Sequence, residues 1–317
     1  MDSKNNEIFK KFEEKYKRFI LPKCEKLDIE RMKINRQNFI IIFLYVAIVF
    51  YMLAFVFSDL DKDTITVSVF FSIFPPIVYI ALRYTKFTNK IKREIINYFC
   101  ASFEDLRWLD KKNYPFFQTV NTVLKDADLF YVDKTISFEY DDIFKGKYNN
   151  IPFEIFELCA SVYKSYRSRQ RKVRRYIFQG AVIHLKLEKD FKNKTVVKLD
   201  KTKGFNPESL SAIDYNTSMI YTQNRLEAKK LTDEELIEKL EKLKQVFEAN
   251  NVYCSFYKKD AWIALHMNNT YSLFEVMNGF RNSLVLDAKE NFEVMIKQII
   301  CIYDLIDYFK GYVTTNS

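Results

Sequence analysis

Few side chains in this sequence are placed for chemistry, and most have a plainer explanation. The two histidines, His184 and His266, each fall in a stretch that reads as a β-strand. Imidazoles facing one another across a sheet can hold a metal ion, but nothing near either histidine in the sequence completes a ligand set. Both therefore read as packed or hydrogen-bonded strand residues. The five cysteines, Cys24, Cys100, Cys159, Cys254 and Cys301, are scattered without a CxxC pair. That pattern fits reduced packing thiols and argues against a disulfide framework or a zinc site. Adjacent carboxylates, Asp141-Asp142 and Glu234-Glu235, fit a turn and the start of a helix. There is no GxGxxG, P-loop, HExxH or GxSxG, and five isolated glycines build no phosphate cradle. The expectation is a protein that is not an enzyme and uses no metal or cofactor.

The most distinctive polar feature is a run of cations: Lys164, Arg167, Arg169, Arg171, Lys172, Arg174 and Arg175, seven in twelve residues with no acid between them. Their chemistry is anion contact. Nucleic-acid phosphates suit such clusters, but the interleaved aromatics are only Tyr166 and Tyr176, so nucleic acid is disfavoured. A chain held at a bilayer has anionic lipid headgroups nearer at hand, and each basic residue close to that surface contributes about 1 kcal/mol. The plainer alternative is a solvated loop between two strands.

The bilayer enters through two uncharged runs, Phe39–Phe57 and Thr64–Leu82, each of 19 residues. At about 1.5 Å per helical residue either run spans a hydrocarbon core of roughly 30 Å. Only Ser58–Asp63 separates them, so the sequence predicts an antiparallel two-helix transmembrane hairpin over 39–82. Pro75-Pro76 is expected to kink its second helix. The link is acidic, whereas Lys26, Arg31, Lys33 and Arg36 precede the first run and Arg83, Lys86, Lys90, Lys92 and Arg93 follow the second. Basic short flanks stay inside. The expected location is a bacterial cytoplasmic (inner) membrane with both termini cytoplasmic. Two spans without an internal charge mark no transport pathway.

Residues 1–38 read as an amphipathic helical segment with Phe9, Phe12, Tyr16, Phe19 and Lys23 on one face and a break or kink at Pro22. Residues 83–317 read as one cytoplasmic α+β domain with mainly antiparallel strands. A helix continues from the second span through Ile91, Ile95, Phe99, Phe103 and Leu106, and another covers 116–125. Strand patterns follow at 136–140, 143–148 and 151–156, the last two joined by Asn149-Asn150 as a hairpin. Further strands are expected over 173–187, 195–199 and 218–222, and a second hairpin over 252–257 and 261–267 around Lys258-Lys259-Asp260. Thr232-Asp-Glu-Glu235 reads as a capping box opening a helix over 233–249. A charged, apolar-striped helix over 288–309 closes the chain and is not a third span.

Five short stretches carry a resemblance: Tyr176-Ile-Phe-Gln-Gly180, Asp190-Phe-Lys-Asn-Lys-Thr195-Val, Tyr221-Thr-Gln-Asn-Arg-Leu-Glu-Ala228, Leu231-Thr-Asp and the strand ending near Ala264-Leu265. They resemble a bacterial membrane family known as domain of unknown function 3137, over about residues 80–300. Ala181, Val182 and Lys229 depart from the family's pattern. The resemblance implies a membrane hairpin before a cytoplasmic α+β domain, and no activity. The net charge of +9 and mean hydropathy of −0.22 agree with a polar domain on an apolar anchor. The functional expectation is a membrane-anchored interaction or regulatory domain with an unknown protein partner. Its alternative is a membrane-tethered enzyme with an unrecognised site.

Overall fold

The computed structural model describes residues 3–51, 62–103, 105–109, 127–129, 136–165, 172–200, 207, 210–215, 218–267, 274–276 and 283–315. They fall into two compact units. One comprises Lys10–Phe99 with Glu275–Phe292; the other comprises Met1–Phe9, Cys100–Phe274 and Glu293–Ser317.

The helical unit is built from α1 (Ser3–Lys15), α2 (Leu21–Tyr51), α3 (Lys62–Cys100) and the start of α6 (Leu284–Thr315). The helix is not broken at Pro22. Residues Tyr16–Ile20 form a π-turn, in which the Leu21 amide donates to the Tyr16 carbonyl, and the helix runs on into α2. A proline in the first turn after such a widening loses no needed donor. The π-turn also resets the buried face. Phe12, Tyr16, Ile20, Cys24 and Leu27 are buried while Phe19 is exposed. Steps of four would drift around a regular α-helix, and the wider turn absorbs that drift. Phe12 and Phe292 both pack on Phe99, the Phe99 and Phe292 rings stacking at 4.9 Å. Asp28 accepts from the Leu284 amide and from Arg31.

Among the described residues one helix, Glu7–Tyr51, is long and apolar enough to cross a membrane. The second expected span lies within α3, which contains Pro75 and Pro76. Most of the expected link, 58–61, lies outside the described residues, as does the helix expected over 116–125. Helix α3 ends at Cys100, earlier than expected, because Leu106–Leu109 is a strand, β1. Leu106 is buried as the stripe required, but there it joins a sheet.

The other unit is an α+β domain with a seven-stranded antiparallel sheet among the described residues. Its further elements are β2 (Ile136–Tyr148), β3 (Ile151–Ser165), β4 (Lys172–Lys198), β5 (Ser211–Tyr215), β6 (Ser218–Thr222), α4 (Arg225–Leu231), α5 (Glu234–Val246) and β7 (Asn251–His266). Asn149 and Asn150 make the predicted turn, both with positive φ, as a primed hairpin turn demands. The strands expected at 136–140 and 143–148 are one strand, bulged between Asp141 and Phe144.

Strand β4 organises the sheet. It pairs β3 along 172–185, β6 along 195–198 and β7 along 180–198. The two strands expected within 173–199 are thus a single one. The second predicted hairpin is likewise a single strand, β7. Lys258-Lys259-Asp260 runs on within that strand, with Lys258 at φ 53°, opposite the point where β4 bulges by placing extra residues between Lys186 and Phe191.

Helix α5 shows the predicted buried stripe of Leu236, Leu240 and Leu243, continued by Phe247, but its cap is shifted by one residue. Asp233, not Thr232, accepts from the Leu236 amide, while the Thr232 hydroxyl donates back to the Ala228 carbonyl and closes α4. Within this unit α6 covers one sheet face, where Tyr303 stacks on Tyr148 at 3.8 Å and Phe309 meets Phe256.

Candidate functional site

Four of the seven cations in the run lie on strands among the described residues. Lys164 lies at the end of β3 and Lys172 opens β4; Arg167, Arg169 and Arg171 lie outside the described residues. Arg174 and Arg175 are on β4, opposite Tyr163 and Val162. The two arginines differ in surroundings. Arg174 donates from Nε to the Ser161 hydroxyl at 2.9 Å and from its terminal nitrogen to Glu139, with its guanidinium 5.0 Å above the Tyr176 ring. Arg175 is exposed. Arg174 is thus engaged by its own sheet, and Arg175 is open to an outside anion.

The two histidines share the sheet face that carries Phe178, Val182 and Ala264, but they do not meet. His184 pairs with Trp262, and His266 pairs with Gly180. That offset of four residues is about 13 Å along a strand. His184 stacks on Trp262 at 3.8 Å and shares a hydrogen bond of 2.8 Å with Asp260, which also takes Lys186 at 2.9 Å. Burial pushes the Asp260 carboxyl up, but hydrogen bonds from His184 and Lys186 and their charge outweigh it and hold the carboxyl below its ordinary value. His266 lies against Phe178. Among the described residues no group of three or more His, Cys, Asp or Glu is placed to hold a metal.

The cysteines are all buried and unbridged. Burial pushes Cys100 up to about 12 and Cys301 to about 11, and raises Cys254 further. A thiol held that far from ionisation is a poor nucleophile.

A site not evident from the sequence lies in the helical unit. Helix α2 contributes Glu30, Lys33, Ile34 and Gln37, and α3 contributes Arg83, Lys86, Phe87 and Lys90, around a cavity of about 510 Å³. Both sets follow the same spacing of three, four and seven residues, which places each on one helix face. In the sequence these cations bear only on membrane topology. The available signal was the pairing of two such faces, each with one apolar residue, Ile34 or Phe87, among the charges. Lys90 binds Glu30 at 2.6 and 2.8 Å, and Arg83 donates to Gln37 and Asn38. Two other flanking cations, Arg31 and Lys92, are buried in ion pairs with Asp28 and Glu275.

The family stretches occupy one part of the sheet. Glu227, at the start of α4, accepts from the amides of Lys192 and Asn193 and from the Asn193 side chain. The Gln223 side chain takes the Lys194 amide, and the Thr195 and Thr222 hydroxyls meet at 3.1 Å. The motif around Tyr221–Ala228 therefore holds the irregular segment of β4. Residues 176–310 match the family described as "Protein of unknown function (DUF3137)". Over these residues the chain is similar to that family. The match begins on β4 and ends on α6, a narrower extent than the resemblance across 80–300 suggested. No curated protein matches the chain. Among solved structures, the mycobacterial trehalose monomycolate transport factor A, TtfA, is similar over 54% of this chain and 76% of its own, at 9% identity and a TM-score of 0.29. So distant a likeness says nothing of this chain's function. In this chain Glu227, Gln223 and Thr222 have structural roles: they hold the irregular segment of β4.

Proposed function

We propose that this chain is a non-enzymatic, membrane-anchored interaction module. In this reading 39–57 and 64–82 form an antiparallel hairpin in the bacterial cytoplasmic membrane, both termini face the cytoplasm, and the α+β unit engages a protein partner. The cationic tip of the β3–β4 hairpin then faces anionic lipid.

One observation carries the reading. Along α2, Phe39, Ile40, Phe43, Leu44, Ile48 and Phe50 are exposed, and along α3 so are Phe74, Ile77, Tyr79 and Leu82. A helix apolar on all sides is either buried in protein or set in lipid, and a soluble surface rarely leaves so large an apolar patch in water. These side chains are covered by no other part of the described chain. A hydrocarbon environment matches them.

The enzyme alternative would need His184 or His266 to collect several acids in a cleft. His184 has Asp260, which Lys186 also occupies, an arrangement that suits a cross-strand ion pair. Reporter fusions at residue 20 and residue 317 test the topology: both should report cytoplasm, and a periplasmic signal from either overturns it. The partner is sought by crosslinking from native membranes.

A further inference from the structure

We infer that the cavity between α2 and α3 is a binding site for the phosphodiester headgroup of an anionic glycerophospholipid. The inference rests on the membrane reading above and adds to it a defined ligand site, separate from the β3–β4 tip.

The cavity's cations come from both helices: Lys33 from α2, and Arg83, Lys86 and Lys90 from α3, against the single acid Glu30. They divide into two kinds. Lys90 is neutralised by Glu30, and Arg83 is oriented by Gln37 and the buried Asn38. Lys33 and Lys86 have no acidic partner among the described residues and are exposed. A phosphate entering here meets one guanidinium already fixed in direction and two free ammonium groups. Planar guanidinium recognition supplies direction, and lysine supplies charge.

Position selects a lipid over a soluble anion. Gln37 is two residues before Phe39, and Arg83 directly follows Leu82; Phe39 and Leu82 are both exposed. The cations thus lie where the exposed apolar stretch ends on both helices, the level at which a bilayer places its phosphates. Basic pockets between membrane helices on the cytoplasmic side hold headgroups in this manner. Ile34 and Phe87, both buried, give the cavity an apolar back, and its volume of about 510 Å³ is that of a small-molecule site.

The test uses the full chain in nanodiscs of phosphatidylcholine containing phosphatidylglycerol, with co-retained lipid read by native mass spectrometry. The parent should retain phosphatidylglycerol in preference to phosphatidylcholine. Lys33→Gln with Lys86→Gln should reduce that preference roughly 30-fold, about fivefold for each direct contact to the headgroup that is lost. Lys26→Gln with Arg36→Gln removes the same charge outside the cavity and should keep most of it. Equal loss in both pairs, or an unchanged preference in the first, overturns the headgroup site while the anchor stands. Displacement of the lipid by millimolar inorganic phosphate would make this a soluble-anion site and overturn the lipid assignment. Failure of the parent chain to enter nanodiscs overturns the membrane reading and this inference with it.

Discussion

Gly180 of β4 and Leu265 of β7 approach so closely that a methyl group on Gly180 would lie 1.9 Å from the Leu265 carbonyl oxygen. The glycine also has φ +151°, a region that residues with a Cβ rarely enter. Gly180→Ala therefore combines backbone strain with overlap against a main-chain atom that cannot rotate away. A loss of about 3 kcal/mol or more is expected, the sum of left-handed strain and overpacking. Thermal unfolding of the variant checks this. A melting temperature within a degree or two of the parent would mean that β4 and β7 separate easily at this point.

A second structural relationship in the family segment joins Glu227 to the irregular part of β4. Its carboxylate takes two main-chain amides and one side-chain amide from Lys192 and Asn193. Glu227→Ala leaves those donors without their charged acceptor, at a cost of about 1–3 kcal/mol. Glu227→Gln keeps a neutral acceptor and should lose less. Hydrogen exchange at the Lys192 and Asn193 amides distinguishes a local effect from a global one. Both amides should exchange faster in the alanine variant, and unchanged exchange would remove Glu227 from this role.

These two contacts show where the sequence was legible and where it was not. The turn at Asn149-Asn150 and the stripe Leu236, Leu240, Leu243 and Phe247 were readable because each depends on neighbours within a few residues. The Lys258-Lys259-Asp260 segment reads as a turn because a strand that faces a bulge can carry the same polar residues. The deciding factor, the surplus of residues on β4 before Phe191, lies far away in sequence. Pro22 reads as a break or kink because a π-turn leaves no separate composition signal. The cavity between α2 and α3 escaped for a related reason. Its two faces, 30-33-34-37 and 83-86-87-90, look like solvated charge until they are set against each other. The basic hairpin tip was visible as a cluster, but the ion pair that withdraws Arg174 depends on Glu139, thirty-five residues earlier.

The Asp260 ion pair predicts a particular dependence on pH. Its folded-state carboxyl lies below the ordinary value despite the opposing effect of burial, because His184 and Lys186 hold the charged form. A depressed carboxyl stabilises the fold above its unfolded value, about 3.9, and that contribution is lost as pH falls through the folded value. Asp260→Asn should therefore lower the melting temperature at neutral pH, and the gap to the parent should close as the pH falls below about 4. A gap that stays constant into acid would mean that the effect of the substitution does not lie in the charge.

The last prediction separates two adjacent arginines. Arg174 is held by Ser161, Glu139 and the Tyr176 ring, whereas Arg175 is exposed on the same strand. If the hairpin tip faces anionic lipid, Arg175→Gln should lower the preference of the nanodisc-embedded chain for phosphatidylglycerol by roughly fivefold and leave stability unchanged. Arg174→Gln should show the opposite pattern. Its ion pair is partly exposed, so the stability loss should be a fraction of 1 kcal/mol, the usual range for such pairs, with lipid affinity little altered. Paired measurements of melting temperature and phosphatidylglycerol preference on the two variants decide the matter. Equal loss of affinity in both would mean that the Glu139 pair opens at the membrane surface, and no loss in either would remove β4 from the lipid contact.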